Sequence, residues 1–183
     1  VYGIQTDLGE FLSARDADGH GSHTAGTAAG NAGVPAKISG NDVGTISGIA
    51  PRARVAAYKV CWNSGYVSPA GNSEAGCFPS DSMASIDAAV ADGVDVINYS
   101  ISGSRTSLVG AVPIAMLNAA EAGVFVAVSA GNSGPTSVTV GTPAPWITSV
   151  AASTYDGTSA VNAMEVSYSG TPADNIVFVE GVI

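Results

Sequence analysis

The residues best suited to chemistry lie in one short run, Asp16-Ala17-Asp18-Gly19-His20-Gly21-Ser22-His23, followed by the small residues Thr24-Ala25-Gly26-Thr27-Ala28-Ala29-Gly30. A neutral imidazole accepts a proton readily near neutral pH, so His20 is a candidate for a general base. If the run from His20 is helical, His20 stands at the helix N-terminus. The positive end of the helix dipole there disfavours imidazolium and keeps the ring available as a base. His23 then lies one turn further along, on nearly the same face. A second candidate is Asn132, within Ser129-Ala130-Gly131-Asn132-Ser133-Gly134. Its carboxamide N–H could stabilise negative charge developing on a substrate that approaches the backbone closely. Asparagine in a glycine-rich turn is also common for conformational reasons alone.

Other chemistries fit less well. Two histidines three apart could hold a metal, but the glutamate of an HExxH pair is absent and no third ligand is evident, so no metal or other cofactor is expected. Gly19-His20-Gly21 is followed by Gly26 rather than by a glycine at position 24, and no apolar strand precedes it, which argues against a dinucleotide loop. The net charge of −9, with six Lys plus Arg, repels nucleic acid and anionic membranes, and neither is an expected partner. Only 11% of residues are charged, against about 25% in typical domains, while 46% are apolar. Disorder, which needs the reverse balance, is excluded. No stretch reaches the roughly 18 unbroken apolar residues of a membrane span.

The elements that must position these side chains are legible as apolar runs. Val55 to Val60, Val94 to Ile101, Val124 to Ser129 and Ile147 to Ala152 are nearly continuous, as in strands covered on both faces. Helical patterns lie between the first and second of these runs and between the second and third. Met83, Ile86 and Val90 are spaced three and four apart, with Asp81 as the expected N-cap and Gly93 just past the end. The next helix ends at Ala122-Gly123 and can hold Pro113 only in its first turn. This alternation predicts an α/β fold of three layers, a mostly parallel sheet with helices on both faces. Function in such sheets gathers beyond the carboxyl ends of the strands, at Tyr99 to Gly103 and Ala130 to Gly134. Residues 31–48, and those from about 154 onward, read as loops or irregular hairpins.

Cys61 and Cys77 flank a stretch rich in Gly, Ser and Asn. They are either two buried thiols or a disulfide, which for a loop of this size stabilises by about 3 kcal/mol. The acidic, sparsely charged composition suits an extracellular setting and favours the disulfide. Two cysteines without CxxC pairing do not suggest zinc.

Three motifs, in order, carry a resemblance to the subtilisin-like serine proteases. Asp18-Gly19-His20-Gly21-Ser22-His23-Thr24-Ala25-Gly26 resembles the family's catalytic-histidine motif, Gly48-Ile49-Ala50-Pro51 its GVAP turn, and Ser129-Ala130-Gly131-Asn132 its AAGN segment. The finer wording, AAYKVCW, SAGNSGP and PAPWITSVAAS, is closest to the larger subtilases with a protease-associated insertion. The resemblance implies a serine-type endopeptidase, secreted, with His20 as general base, His23 structural and Asn132 as oxyanion donor. A polypeptide substrate would pair beside Ser100, Ile101 and Ser102, opposite Ser129, Ala130 and Gly131. Ser102 replaces a glycine usual in the family. The small residues here imply a roomy, mostly apolar specificity pocket.

The family's orienting aspartate lies on an early strand. Asp7, Asp16 and Asp18 stand too close to His20, so that aspartate is expected before Val1. Asp156-Gly157-Thr158-Ser159-Ala160 imitates the nucleophile motif, yet follows Asn132 too soon and lacks the proline and small-residue helix that should follow. Ser159 reads as a turn residue. Residues 1–154 are thus expected to be the central part of the catalytic domain and 155–183 the start of an insertion or loop region, with the remainder of the parent protease as partner. Calcium, common in the family, has no aligned ligands in the 31–42 loop. An inactive subtilase-like peptide-binding module is the alternative.

Overall fold

The computed structural model describes residues 9–63 and 76–152. They fall into two compact units, residues 9–22 with 56–149 and residues 23–55 with 150–152. In chain order the elements are α1 (His20–Ala29), β1 (Val34–Ile38), β2 (Asn41–Ile46), β3 (Cys61–Trp62), β4 (Gly76–Cys77), α2 (Pro79–Ala91), β5 (Val96–Tyr99), α3 (Ala111–Glu121), β6 (Phe125–Ser129) and β7 (Thr148–Val150).

The core of the larger unit follows from the strand register. β5 and β6 are parallel, with Ile97 opposite Val126 and Tyr99 opposite Val128, and β7 lies on the far side of β6. Strand side chains alternate, so these four residues share one face. That face meets Met83, Ile86 and Val90 of α2 and Val112, Ala115, Met116 and Ala119 of α3. The spacing of three and four expected for α2 is therefore its core-facing stripe. Met116 is fully buried, worth about 1.5–3 kcal/mol by transfer from water. On the opposite face Val96 and Phe125, partners in register, remain 47% and 49% exposed.

Both helices return to the sheet through the same joint. Gly93 donates its N–H to Val90 O at 3.1 Å and Val94 to Ala89 O at 3.2 Å, while Gly123 donates to Ala120 O and Val124 to Ala119 O, each at 3.0 Å. These paired bonds satisfy the last helical carbonyls and require a left-handed residue past each helix end. Gly93 and Gly123 supply it, with φ of +76° and +91°. Pro113 lies in the first turn of α3, as its missing N–H demands.

Two expectations fail locally. Val55 to Val60 forms no strand. Among the described residues no strand runs alongside to complete its hydrogen bonds, and side chains hold the segment instead, Tyr58 donating its hydroxyl to Asp92 Oδ2 at 2.5 Å. Pairing begins only at β3, antiparallel to β4 with Cys61 opposite Cys77. Those two cysteines form a disulfide with S–S 2.01 Å, the preferred of the two readings. Nor is Asp81 the N-cap of α2. The helix starts earlier, at Pro79 after extended Phe78, because proline's fixed φ suits the first helical position. Asp81 instead accepts the Trp62 indole N–H at 2.9 Å.

Residues 31–48 contain the antiparallel hairpin β1–β2, bulged between Pro35 and Lys37. Its two-residue turn, Ser39-Gly40, has φ of +49° and +83°, the positive values a tight hairpin needs. The boundary expected after 154, and Ser159, lie outside the described residues.

Candidate active site

His20 is the first residue of α1 and is exposed, at the helix N-terminus where the small-residue run begins. The turn that delivers it is built around Asp16. Asp16 Oδ1 accepts the N–H groups of Asp18 and Gly19 at 3.0 and 2.9 Å. Its Oδ2 accepts the N–H and the hydroxyl of Ser22 at 2.8 and 2.7 Å. Asp18 Oδ2 receives the N–H of His20 at 3.3 Å. A carboxylate is favoured here because the first helical N–H groups have no partner within the helix and the dipole is positive at this end. The bonds from Gly19 and then Ser22 hold the Asp16 carboxyl well below the usual carboxylate range. Its stabilising effect is thus present above the ordinary range and lost as pH falls through its depressed folded value. Sequence reading weighed Asp16 only as a triad member. The legible signal was an acidic residue three before Gly19 and six before Ser22 at a helix start.

The other end of α1 explains the Gly-Ile-Ala-Pro motif. Gly48, Ile49 and Ala50 donate their N–H groups to Gly30 O, Thr27 O and Ala28 O at 2.9, 3.0 and 2.8 Å. They satisfy carbonyls the helix leaves open. A Cβ on Gly48 would stand 2.2 Å from Gly30 N, so only glycine permits this approach. α1 buries none of its residues, and its small side chains serve this close backbone contact.

A nearly buried ion pair ties the segment upstream of Asp16 to the chain before β3. Lys59 bonds to Glu10 Oε1, and the two side chains are 12% and 2% exposed. The same ammonium donates to Arg15 O at 2.7 Å and Phe11 O at 3.3 Å, and lies 4.8 Å from the Trp62 ring centroid. Glu10 also accepts the N–H groups of Phe11 and Asn63, each at 2.7 Å. Lys59, then the Asn63 N–H, hold the Glu10 carboxyl below its usual range against the opposing effect of burial. Lys59 thereby grips the residue immediately before Asp16. No sequence spacing signals a pair so far apart.

The carboxyl ends of β5 and β6 come together around small residues. Ala130 is buried, Ser129 and Gly131 are half-buried, and Asn132 is exposed. Across from them Ser100 and Ile101 are half-buried and Ser102 is exposed, with the Ser102 side chain directed at Gly131: a Cβ on Gly131 would meet Ser102 Oγ at 2.8 Å. The segment after Asn132 returns to both ends. Gly141 donates to Ala130 O at 2.9 Å, Thr142 donates to Ser104 O at 3.1 Å, and Thr142 Oγ1 accepts the Gly103 N–H at 2.9 Å. Thr142 is 3% exposed with φ of +56°, a conformation that costs a β-branched residue about 1–3 kcal/mol.

The family model described as the subtilase family matches residues 5–178. The chain belongs to the subtilase family. Among curated subtilases it is 51% identical over 151 residues to subtilisin-like protease SBT1.6 of Arabidopsis thaliana, covering 80% of this chain and 18% of that protein. It is 46% identical over 155 residues to subtilisin-like protease SBT1.5 of the same plant, covering 84% and 19%. The chain thus spans about a fifth of the length of the curated relatives it matches. A solved structure, the S41 psychrophilic protease, aligns with a TM-score of 0.53 at 32% identity over 75% of this chain and 40% of that one. The α/β architecture is accordingly an incomplete subtilisin-like fold. Asp16, the Glu10–Lys59 pair and Thr142 are the groups around the candidate site that sequence reading missed.

Proposed function

We propose that residues 1–154 are the central part of the catalytic domain of a secreted serine endopeptidase, with 155–183 beginning an insertion or loop region. His20 is its general base and Asn132 its oxyanion donor. The observation that carries the reading is the exposed position of His20 at a helix start pinned by the Asp16 carboxylate, in a chain of the subtilase family. The remainder of the parent chain contributes the nucleophilic serine and the orienting aspartate. A polypeptide substrate lies extended beside Ser100, Ile101 and Ser102, its preceding side chain received opposite Ser129, Ala130 and Gly131.

His20 takes the serine hydroxyl proton as the oxygen attacks the scissile carbonyl, and the Asn132 side chain donates to the oxyanion. The imidazolium then returns its proton to the leaving amine. Water, deprotonated in turn by His20, releases the acyl group. Secretion is supported by the Cys61–Cys77 disulfide, which persists in oxidising compartments. No described helix is long and apolar enough to cross a membrane.

The test is labelling of the intact protease by a fluorophosphonate, together with peptide hydrolysis. Wild type should label stoichiometrically and turn over. His20→Ala should do neither, and Asn132→Ala should lose about 10²–10³ in kcat with KM little changed. A wild-type protein that binds peptide without labelling would make this an inactive peptide-binding module. Normal kcat in Asn132→Ala would remove that residue from the mechanism.

A further inference from the structure

The two strand ends proposed to receive substrate are joined by a device that the catalytic reading does not use. The dipeptide Gly141-Thr142 bonds to both: Gly141 N–H to Ala130 O on one side, Thr142 N–H to Ser104 O and Gly103 N–H to Thr142 Oγ1 on the other. Thr142 is buried in a left-handed conformation that β-branched residues rarely adopt. Such a conformation persists only where its surroundings over-determine it, and it concentrates at functional sites. The fit around the clamp is close. A Cβ on Gly103 would stand 2.4 Å from Thr142 Oγ1, and one on Gly141 would meet Ser102 Cβ at 3.4 Å.

We infer that Thr142 is a positioning residue for substrate selection: its hydroxyl oxygen, by accepting the Gly103 N–H, fixes the separation of the 100–104 edge from the Ser129–Gly131 strand end, and so the size of side chain accepted before the cleaved bond. Thr142 touches no reacting atom. It acts through Gly103 and Ser104, which carry on from the proposed substrate edge, and through its neighbour Gly141, which holds Ala130. The inference rests on the protease reading above.

The experiment compares Thr142→Val, Thr142→Ser and Thr142→Gly in the intact protease. Peptide substrates differ only in Ala, Leu or Phe before the cleaved bond, and rates are normalised to fluorophosphonate-titrated sites. Valine keeps the shape and removes the acceptor. Glycine also removes it but relieves the left-handed strain, so it serves if the valine variant does not fold. Both should change the Phe-to-Ala ratio of kcat/KM by about fivefold or more, mainly through KM, with kcat on the best substrate within about twofold. Serine keeps the oxygen and should hold the ratio within about twofold of wild type. A merely structural role would lower the titre of active sites without moving the ratio.

A ratio unchanged in both the valine and glycine variants of an active enzyme overturns the assignment of Thr142 alone. So does a serine variant as altered as the valine one. Wild-type protein that neither labels nor hydrolyses any peptide overturns the protease reading itself, and this inference with it.

Discussion

Replacing Lys59 by methionine keeps an apolar stem of similar length and removes the charge. What remains is the Glu10 carboxylate, its side chain 2% exposed, still accepting N–H groups from Phe11 and Asn63 at 2.7 Å each. Breaking a fully buried ion pair by removing one partner costs about 3–5 kcal/mol. The two retained bonds offset part of this, while the carbonyls of Phe11 and Arg15 lose a charged donor, so the net loss is about 2–3 kcal/mol. A domain of about 150–250 residues would lose about 4–12 °C of Tm, and the larger parent domain correspondingly less. The sign of the pH dependence follows from Glu10. Its folded value is depressed, so the pair stabilises above the ordinary carboxylate value of 4.5 and loses that effect as pH falls through the folded value. In Lys59→Met the leading cause of the depression is gone, and only the Asn63 and Phe11 N–H groups still oppose burial. The gap between variant and wild type should therefore be widest near pH 7 and narrow as pH falls below the ordinary carboxylate value of 4.5. Differential scanning calorimetry of the intact parent protein, treated beforehand with a fluorophosphonate to prevent any autolysis, measures this. Lys59→Met/Glu10→Gln should recover most of the loss, since no buried charge is stranded. A single variant within 1 °C of wild type at pH 7, or a gap that acid does not narrow, would refute the reasoning.

Asp16→Asn replaces the oxygen that accepts two bonds from Ser22 with a donor, and should cost about 1–2 kcal/mol, read as a lower urea midpoint and a stability less sensitive to acid. Unchanged acid sensitivity would show that the turn does not depend on that charge. Thiol titration of denatured, unreduced protein should find Cys61 and Cys77 unreactive, and Cys61→Ser/Cys77→Ser should lose about 3 kcal/mol. Two free thiols would return the pair to the buried-cysteine reading.

The parts of the fold legible in the sequence are those governed by neighbours along the chain. Met83, Ile86 and Val90 face the core as their spacing requires, and Gly93 and Gly123 stop their helices because a left-handed residue is needed at a fixed offset. Val55 to Val60 misled because an apolar run reports affinity for a strand environment, whereas a strand also needs a neighbour to receive its hydrogen bonds. Asp81 misled because Pro79, two positions earlier, had the stronger claim on the helix start. Of the candidate site, His20 and Asn132 are proposed from their motifs. The groups around them were not legible. Lys59 meets Glu10 from 49 positions away in sequence, and threonine is a residue type that argues against the backbone conformation Thr142 adopts.

The sheet carries two kinds of glycine, and they differ in what substitution they forgive. At Gly93 and Gly123, before β5 and β6, an added side chain meets nothing within 4 Å, and only the backbone angle resists it. Tolerance there is ranked by conformational preference, with asparagine ahead of alanine and the β-branched residues last, whatever their bulk. At Gly103, just past the opposite end of β5, the obstacle is the Thr142 hydroxyl 2.4 Å from any Cβ, and tolerance is ranked by volume. An engineer could therefore decorate the joint end with polar side chains at a small, calculable conformational penalty. At the end proposed to face substrate, even one methyl group must displace Thr142.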